Sequence, residues 1–420
     1  MKQIKPEIES FARIKVIGTG GSGCNAVSHM IASKVKGVDF MVVNTDAQDL
    51  HHSPAKHKIH IGKTVTRGLG SGMNADIGRQ AAEEQIEDIQ DALVGANMVF
   101  ITCGLGGGTG TGSAPIIAKA ARESGALTVA IVTLPFGFEG KRRREVADVG
   151  LEELRKVVDS IIIIANDKIL ETVEKNTGLK EAFATCDDVL KHAVEGISDL
   201  ITKQGVINLD FADICTVMEA AGPALMGIGE ASGEARAVEA ARQAINSPLL
   251  DVSIDGATGV LLSVSGNDDL GIHEIQEAAD EITKSADSNA TIIFGSVLDE
   301  TLKKGVVRIT VIATGFGNEK NTSKSIFKNV MSVDNAKTIE TKEEDIAEQK
   351  TENKDSNLEI HNSMPTPMTR PKRSVQDTQN KSSQKVKSKP KKVSIKKDNK
   401  LGDDDDFSMI PSFLRRSKLR

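Results

Sequence analysis

Two stretches of this chain are so rich in glycine that each must pass from a strand into a helix with almost no side chain in between. Gly18-Thr19-Gly20-Gly21-Ser22-Gly23 follows the apolar run Ile14–Ile17 and leads to a helical stretch opening near Cys24. Cys103–Gly112 holds six glycines in ten residues, with threonine hydroxyls between them, after Met98–Thr102 and before a helical stretch at Ser113–Ser124. Glycine lets backbone amides approach an anion closely, and a helix N-terminus adds favourable partial positive charge. Two such turns in one sheet predict a polyphosphate held between two helix N-termini. The first turn alone also fits the dinucleotide pattern G-x-G-x-x-G, with Asp46 as the acidic residue expected about 20 positions on. A dinucleotide-dependent enzyme therefore stays open on that turn, although such a fold has no use for a second cradle. Gly62-Lys63-Thr64 is not a P-loop, because His57 stands where that pattern needs glycine.

The rest of the body sets these turns in an α/β frame. Short apolar runs recur at Phe40–Val43, Leu127–Thr133 and Ser160–Ala165, with a helical stretch at Ala75–Leu93. That alternation predicts a parallel sheet with helices on both faces. From Leu179 to Thr202, Leu179, Phe183, Cys186, Leu190, Val194, Ile197 and Ile201 recur at spacings of three and four. They form one buried stripe on a helix about 36 Å long, roughly a domain's width. Strand-like segments at Thr258–Val264, Ala290–Val297 and Val306–Ala313, with a helix near Leu270–Ser285, predict a second, smaller α/β domain. The expected division is an extension at 1–10, a nucleotide-binding domain at 11–178, a central helix at 179–202 and a C-terminal domain at 203–317.

Beyond Gly317 the composition changes. Residues 318–400 contain no glycine and one aromatic, Phe327, among dense Lys, Ser, Asn, Gln and Glu. Such a segment cannot bury enough apolar area to offset its ordering entropy, so a disordered linker is expected. Residues 370–400 carry 12 Lys and Arg against 2 Asp, while the net charge is −6, so the first 369 residues hold −16. At 401–420 the chain turns apolar again, with Ile410, Phe413 and Leu414 at helical spacing and Pro411 suited to a first turn. This reads as a short amphipathic peptide on a long leash, built to dock into a partner's groove.

Composition excludes several classes. The chain has no Trp or Tyr, hence few platforms for stacking single-stranded bases, and no specific nucleic-acid partner is expected. Cys24, Cys103, Cys186 and Cys215 show no paired spacing, which argues against a disulfide framework or a zinc site. His51, His52, His57 and His60 cluster in an expected loop without ligand spacing, so no metal site is expected there. No apolar run reaches the length of a membrane span, and the start, MKQIKPEIES, lacks the apolar core of a secretory signal. A cytoplasmic setting is the expectation.

Three motifs together carry a resemblance. GGGTGTG at Gly106–Gly112, GTGGSGCNA at Gly18–Ala26 and NLDFADI at Asn208–Ile214 are similar to the signatures of the FtsZ family, tubulin-like GTPases of bacterial cell division. The similarity covers about residues 11–317 and resumes at IPSFLRR. It implies a tubulin-like fold, GTP as substrate with Mg²⁺, and head-to-tail polymers assembling at midcell beneath the inner membrane. Gly20, Gly21, Ser22, Gly23, Cys24, Asn25, Gly107, Gly108, Thr109, Gly110 and Thr111 would hold the phosphates, with Asn25 also near the base. Glu139 and Arg143 would reach the ribose and phosphate region. Asn166 and Asp187 would line the guanine and ribose pocket, and a carboxylate suits guanine because it can accept from both N1–H and N2–H. The loop at Gly68–Ala75 resembles the family's γ-phosphate sensor. Ile410, Pro411, Phe413, Leu414 and Arg415 would bind membrane-tethering and regulatory division proteins.

Asn208, Asp210 and Asp213 form an acidic motif at a helix start, where Asp also serves as an N-cap. From Asp187 to Thr202 the central helix rises about 22 Å, so these carboxylates are expected to act on a neighbour's nucleotide, not their own. A head-to-tail contact of that kind is heterologous and builds an open filament. Competing expectations are a plasmid-segregating tubulin relative, a dinucleotide-dependent metabolic enzyme and a nucleotide-binding protein without turnover. The basic block at 370–400 also raises weak attraction to anionic membrane or nucleic acid, against simple solubility and reach.

Overall fold

The computed structural model describes residues 12–316 apart from 173–176, 204, 206, 248–253, 255, 300 and 301. The expected extension, linker and terminal peptide lie outside the described residues. In chain order the elements are β1 (Ile14–Thr19), α1 (Gly20–Ala32), β2 (Asp39–Asn44), α2 (Ala47–His52), β3 (His57–His60), α3 (Ala75–Glu84), α4 (Ile86–Leu93) and β4 (Met98–Gly104). Next come α5 (Thr109–Glu123), β5 (Leu127–Leu134), α6 (Lys141–Arg155), β6 (Ser160–Ala165), α7 (Asn166–Thr172), α8 (Leu179–Thr202) and α9 (Phe211–Met218). The last are β7 (Gly222–Ser232), α10 (Arg236–Ile245), β8 (Gly259–Gly266), α11 (Ile272–Thr283), β9 (Thr291–Leu298) and β10 (Val306–Thr314).

The strands form one ten-stranded, mostly parallel sheet in the order β3-β2-β1-β4-β5-β6-β7-β10-β8-β9. Period-two alternation sorts side chains to its two faces. Val16, Phe100 and Ile131 pack with α1 and α8, while Ile17, Ile101 and Val132 pack with α3, α4, α5 and α6. All eight residues of β5 are buried, which is why the strand reads as a continuous apolar run. β7 runs parallel to β6 through Ser160↔Gly222 to Ile162↔Ala224, then antiparallel to β10 from Leu225↔Ala313 to Ser232↔Val306. A further core lies between α10, α11 and the outer face of β7, β8 and β10, including Ala241, Ile275, Leu225, Leu262 and Val311.

The expected stripe on the long helix is where the two parts of the sheet meet. Cys186, Leu190, Val194 and Ile197 share one core with Val16 and Phe100 on one side and Leu261, Val297 and Ile312 on the other. Three local expectations need correction. Ala75–Leu93 is two helices, because Gln85 leaves helical geometry (φ −111°, ψ 31°) while Glu84 accepts from Thr64 N–H (2.9 Å) and Thr64 Oγ1 (2.7 Å). The four histidines are not in a loop: His51 and His52 end α2, and His57 and His60 belong to edge strand β3. The helices after both glycine turns start earlier than expected, at Gly20 and Thr109 rather than near Cys24 and Ser113. Among the described residues no helix is long and apolar enough to cross a membrane.

Candidate functional site

The sheet order reverses between β1 and β4, which are adjacent and parallel (Ile14↔Met98 to Gly18↔Thr102). In open α/β sheets the crevice at the carboxyl ends of such strands is where ligands bind. Here α1 and α5 both start at that crevice, so the unpaired N–H groups of two first turns converge. Because the helices begin early, Gly20–Gly23 and Thr109–Gly112 are themselves those first turns. Gly20 adopts φ +70°, and a Cβ there would lie 2.7 Å from Gly110 N. A Cβ on Gly107 would meet nothing within 4 Å, so this turn faces open space.

A cavity of about 440 Å³ opens over the two turns, within the usual range for small-molecule sites. Of the expected residues, Gly20, Gly21, Ser22, Asn25, Gly107, Gly108, Thr109, Gly110, Glu139, Arg143, Asn166 and Asp187 line it. Gly23, Cys24 and Thr111 do not. Gly23 sits against Thr102 O, Cys24 is buried in the core, and Thr111 Oγ1 accepts from Gly106 N–H at 2.9 Å. These three shape the cradle from behind. Burial pushes the Cys24 thiol above its ordinary range, with Asp49 adding to the effect, which leaves it an unreactive packing group.

Beside the glycine turns, Thr109 Oγ1 bonds Thr45 Oγ1 at 2.8 Å and Ser71 Oγ at 3.0 Å. The 68–75 loop is thereby tied to the first turn of α5, and Gly70, Ser71, Gly72 and Met73 all face the cavity. Along one wall Arg143 Nη1 donates to Glu139 Oε2 at 2.7 Å, and Glu139 Oε1 accepts from Phe136 N–H at 3.0 Å. This pair is nearly buried and fixes a cation beside the glycine turns.

The far end differs in character. Asn166, first residue of α7, is buried with its Oδ1 unbonded in the protein. Such an atom normally has a partner, and Asn166 lines the cavity. Phe183 and Cys186 of α8 also line it, Phe183 standing edge-on to buried Phe136 with ring centroids 5.2 Å apart. Asp187 completes this end; burial pushes its carboxyl up to about 7, against the opposing charge of His29. The sequence pattern marked Phe183 only as core, although it lies one helical turn before Asp187. Asn44, Thr133 and Pro135 also line the cavity, and no motif pointed to them.

Asn208, Asp210 and Asp213 are elsewhere. All three are exposed beyond the C-terminal end of α8, and none lines the cavity. Asp210 is the N-cap of α9, Asp213 Oδ2 accepts from Asp210 N–H at 3.3 Å, and Asn208 Oδ1 accepts from Gly205 N–H at 2.7 Å. Ile410, Pro411, Phe413, Leu414 and Arg415 lie outside the described residues. Among the described residues no group of three or more His, Cys, Asp or Glu is placed to hold a metal ion.

The order of β3-β2-β1-β4-β5-β6 is also that of dinucleotide-binding sheets, so topology by itself does not choose the ligand. Comparison with known proteins is more specific. The Tubulin/FtsZ family GTPase domain matches residues 13–174, and the FtsZ family C-terminal domain matches residues 222–317. An empty FtsZ dimer from M. jannaschii is similar at 49% identity and a TM-score of 0.71, over 73% of this chain and 89% of that one. A single-substitution FtsZ variant from the same source gives 50% identity and 0.70, over 73% and 91%. CetZ2 from Haloferax volcanii, solved as a GTPγS-bound protofilament, is similar in fold alone, at 20% identity and 0.64, over 76% and 97%.

Proposed function

Since the chain belongs to the FtsZ family of tubulin-like GTPases, we propose that it binds and hydrolyses GTP and polymerises head to tail into the filaments of a division ring. The observation that carries the reading is the cavity's two-ended chemistry. One end offers two helix N-termini and bare glycine, suited to a polyphosphate; the other offers an unsatisfied Asn166 Oδ1, an aromatic wall and a carboxylate, suited to guanine.

In this reading the turns at Gly20–Ser22 and Gly107–Gly110 hold the phosphates through backbone N–H groups, with Asn25 beside them. Arg143, held by Glu139, adds positive charge, and Ser71 senses the terminal phosphate through its bond to Thr109. Asn166 and Asp187 take the base. Mg²⁺ fits best as a companion of the phosphates, since the described residues supply no cage for it and such ions usually combine phosphate oxygens with one or two carboxylates. Asp46, which lines the phosphate end, is the carboxylate available to it there. When bound, the ion would offset developing negative charge.

The chemistry is phosphoryl transfer to water, where positioning and electrostatics dominate. In this reading the attacking water is oriented by Asp210 and Asp213, which stand exposed at the opposite end of α8. A neighbouring subunit stacked head to tail brings that pair to the mouth, so that hydrolysis reports assembly. The protein thus acts in the cytoplasm at midcell, and its terminal peptide binds the proteins that tether and regulate the ring. GTP turnover per chain, measured against protein concentration with sedimentation alongside, tests this. Turnover rising together with pelletable polymer is expected; full turnover by dilute single molecules would refute the shared site.

A further inference from the structure

A second cavity, also of about 440 Å³, lies behind the glycine cradle, between α3 and α6. Its floor is buried Thr111 in the first turn of α5. Both flanking helices approach that turn through glycine: a Cβ on Gly150 would run into Thr111 Cγ2, and one on Gly112 into Ala75 O. Along the groove runs an apolar strip of Met73 (42% exposed), Val146 and Val149 (62% exposed), set among charged residues. An exposed apolar strip rimmed by charge marks an interaction site.

Charge gives the groove a direction. Arg142 (82% exposed) stands at one end of the α6 wall and Glu153 at the other, about 16 Å apart along the helix. Arg142 is tied only loosely, to Glu145 at 3.4 Å, whereas Arg79 on the α3 wall is held by Asp76 at 2.7 Å. The sequence beyond the described residues holds a segment with the complementary order. Asp403–Asp406 precede the apolar Ile410, Phe413 and Leu414, and Arg415, Arg416, Lys418 and Arg420 follow them. Laid in the same direction as α6, that segment puts its acidic end at Arg142, its apolar residues over Val146 and Val149, and its basic end at Glu153. It also reaches. The chain between Phe316 and Asp403 has 86 residues, which at about 5–6 Å times the square root of length spans about 50 Å. The ten-stranded sheet is itself only about 43 Å across.

We propose that the groove between α3 and α6 is the docking site for this chain's own C-terminal segment, residues 403–420. A concave site of this volume suits a few inserted side chains, whereas a stable contact between two copies takes about 800 Å² from each. Tethering supplies an effective concentration of about a millimolar, so the docking needs only modest intrinsic affinity. Met73 lines both this groove and the nucleotide cavity, so a docked tail rests against the loop that borders the nucleotide.

The test uses the full chain with its own tail disabled by Phe413→Ser and Leu414→Ser, without nucleotide, and a fluorescent peptide of residues 401–420 followed by anisotropy. Saturable binding with a Kd below about 1 mM is expected, and the unaltered chain should bind the peptide more weakly because its own tail competes. Val149→Lys should weaken binding at least about tenfold, while Ile272→Lys, an equally exposed position on α11 (61%), should leave it unchanged. Arg142→Glu should weaken it about threefold at low salt, and Asp405→Lys with Asp406→Lys in the peptide should restore it. No saturation by about 1 mM, equal binding to the Val149→Lys and Ile272→Lys chains, or equal binding to the unaltered chain overturns the proposal. Sedimentation of the same samples identifies the other occupant: self-association that Val149→Lys abolishes, with no peptide bound, assigns the groove to a second copy instead.

Discussion

If the nucleotide cradle is made of backbone, then adding one methyl group at Gly20 should do more damage than the same change at a glycine of similar conformation elsewhere. Gly20 (φ +70°) and Gly125 (φ +82°) both occupy the left-handed region. Alanine at either position carries a backbone cost of about 1–2 kcal/mol. At Gly125 nothing lies within 4 Å of the new Cβ, so that cost is the whole effect. At Gly20 the Cβ meets Gly110 N at 2.7 Å and Gly110 Cα at 3.0 Å, both backbone atoms that cannot rotate away. The first turns of α1 and α5 must then separate, and the amides aimed at one ligand lose their common focus. Losing one hydrogen bond to a charged group costs about 1.5–3 kcal/mol, or about 10–100-fold in affinity. Gly125→Ala should lower Tm by a few degrees, at about 2–4 °C per kcal/mol for a domain of this size, with GTP affinity unchanged. Gly20→Ala should lower Tm at least as much and weaken GTP binding at least about tenfold. Calorimetric titration and thermal melts of the two variants in parallel measure this. Equal GTP affinity in both would refute the reasoning that these turns hold the phosphates through their backbone.

Two other outcomes follow from the site. Asp213→Ala should bind GTP normally while turnover falls by about 10²-fold or more, as read by phosphate release under polymerising conditions; lost binding would contradict the assignment to a neighbour's nucleotide. Asp187→Asn should weaken GTP binding, yet stabilise the nucleotide-free protein at high pH. The sign follows from a carboxyl whose folded pKa, about 7, lies above its ordinary value of 3.8: the fold retains the proton, so stability declines as pH rises from about 4 through 7, and Asn removes that decline. Melts without nucleotide should show no gap between variant and parent near pH 4 and a gap favouring Asn by pH 8; a gap independent of pH would refute it.

Much of the frame was legible because parallel strands buried on both faces announce themselves as apolar runs. Five such runs correspond to β1, β2, β4, β5 and β6, and the stripe from Phe183 to Ile201 marks α8. β3 was invisible: His57-Lys58-Ile59-His60 is a polar edge strand with only Ile59 to suggest burial. β7 was missed for another reason, since Gly222, Gly227 and Gly229 dilute its apolar pattern where α10 packs closely; a Cβ on Gly229 would run into Ala240 O. In the site, glycine and charge were readable and apolar liners were not. Phe183 and Cys186 carry the same periodic signal whether they face a core or a cavity, and only the third dimension separates the two. Gly23, Cys24 and Thr111 show the reverse limit: the two motifs span nine and seven residues, but a helical turn brings only some of them to one side.

β7 gives this architecture a mechanical character. β7 joins the part of the sheet that carries the cavity to the part that carries β8, β9 and β10, as a hydrogen-bonded rung of both. The two parts cannot swing like beads on a string. Any movement of one against the other has to twist a continuous ribbon and slide it along the buried stripe of α8. A pull or torque applied to one part of the sheet is therefore delivered to the other as elastic strain rather than absorbed by a hinge.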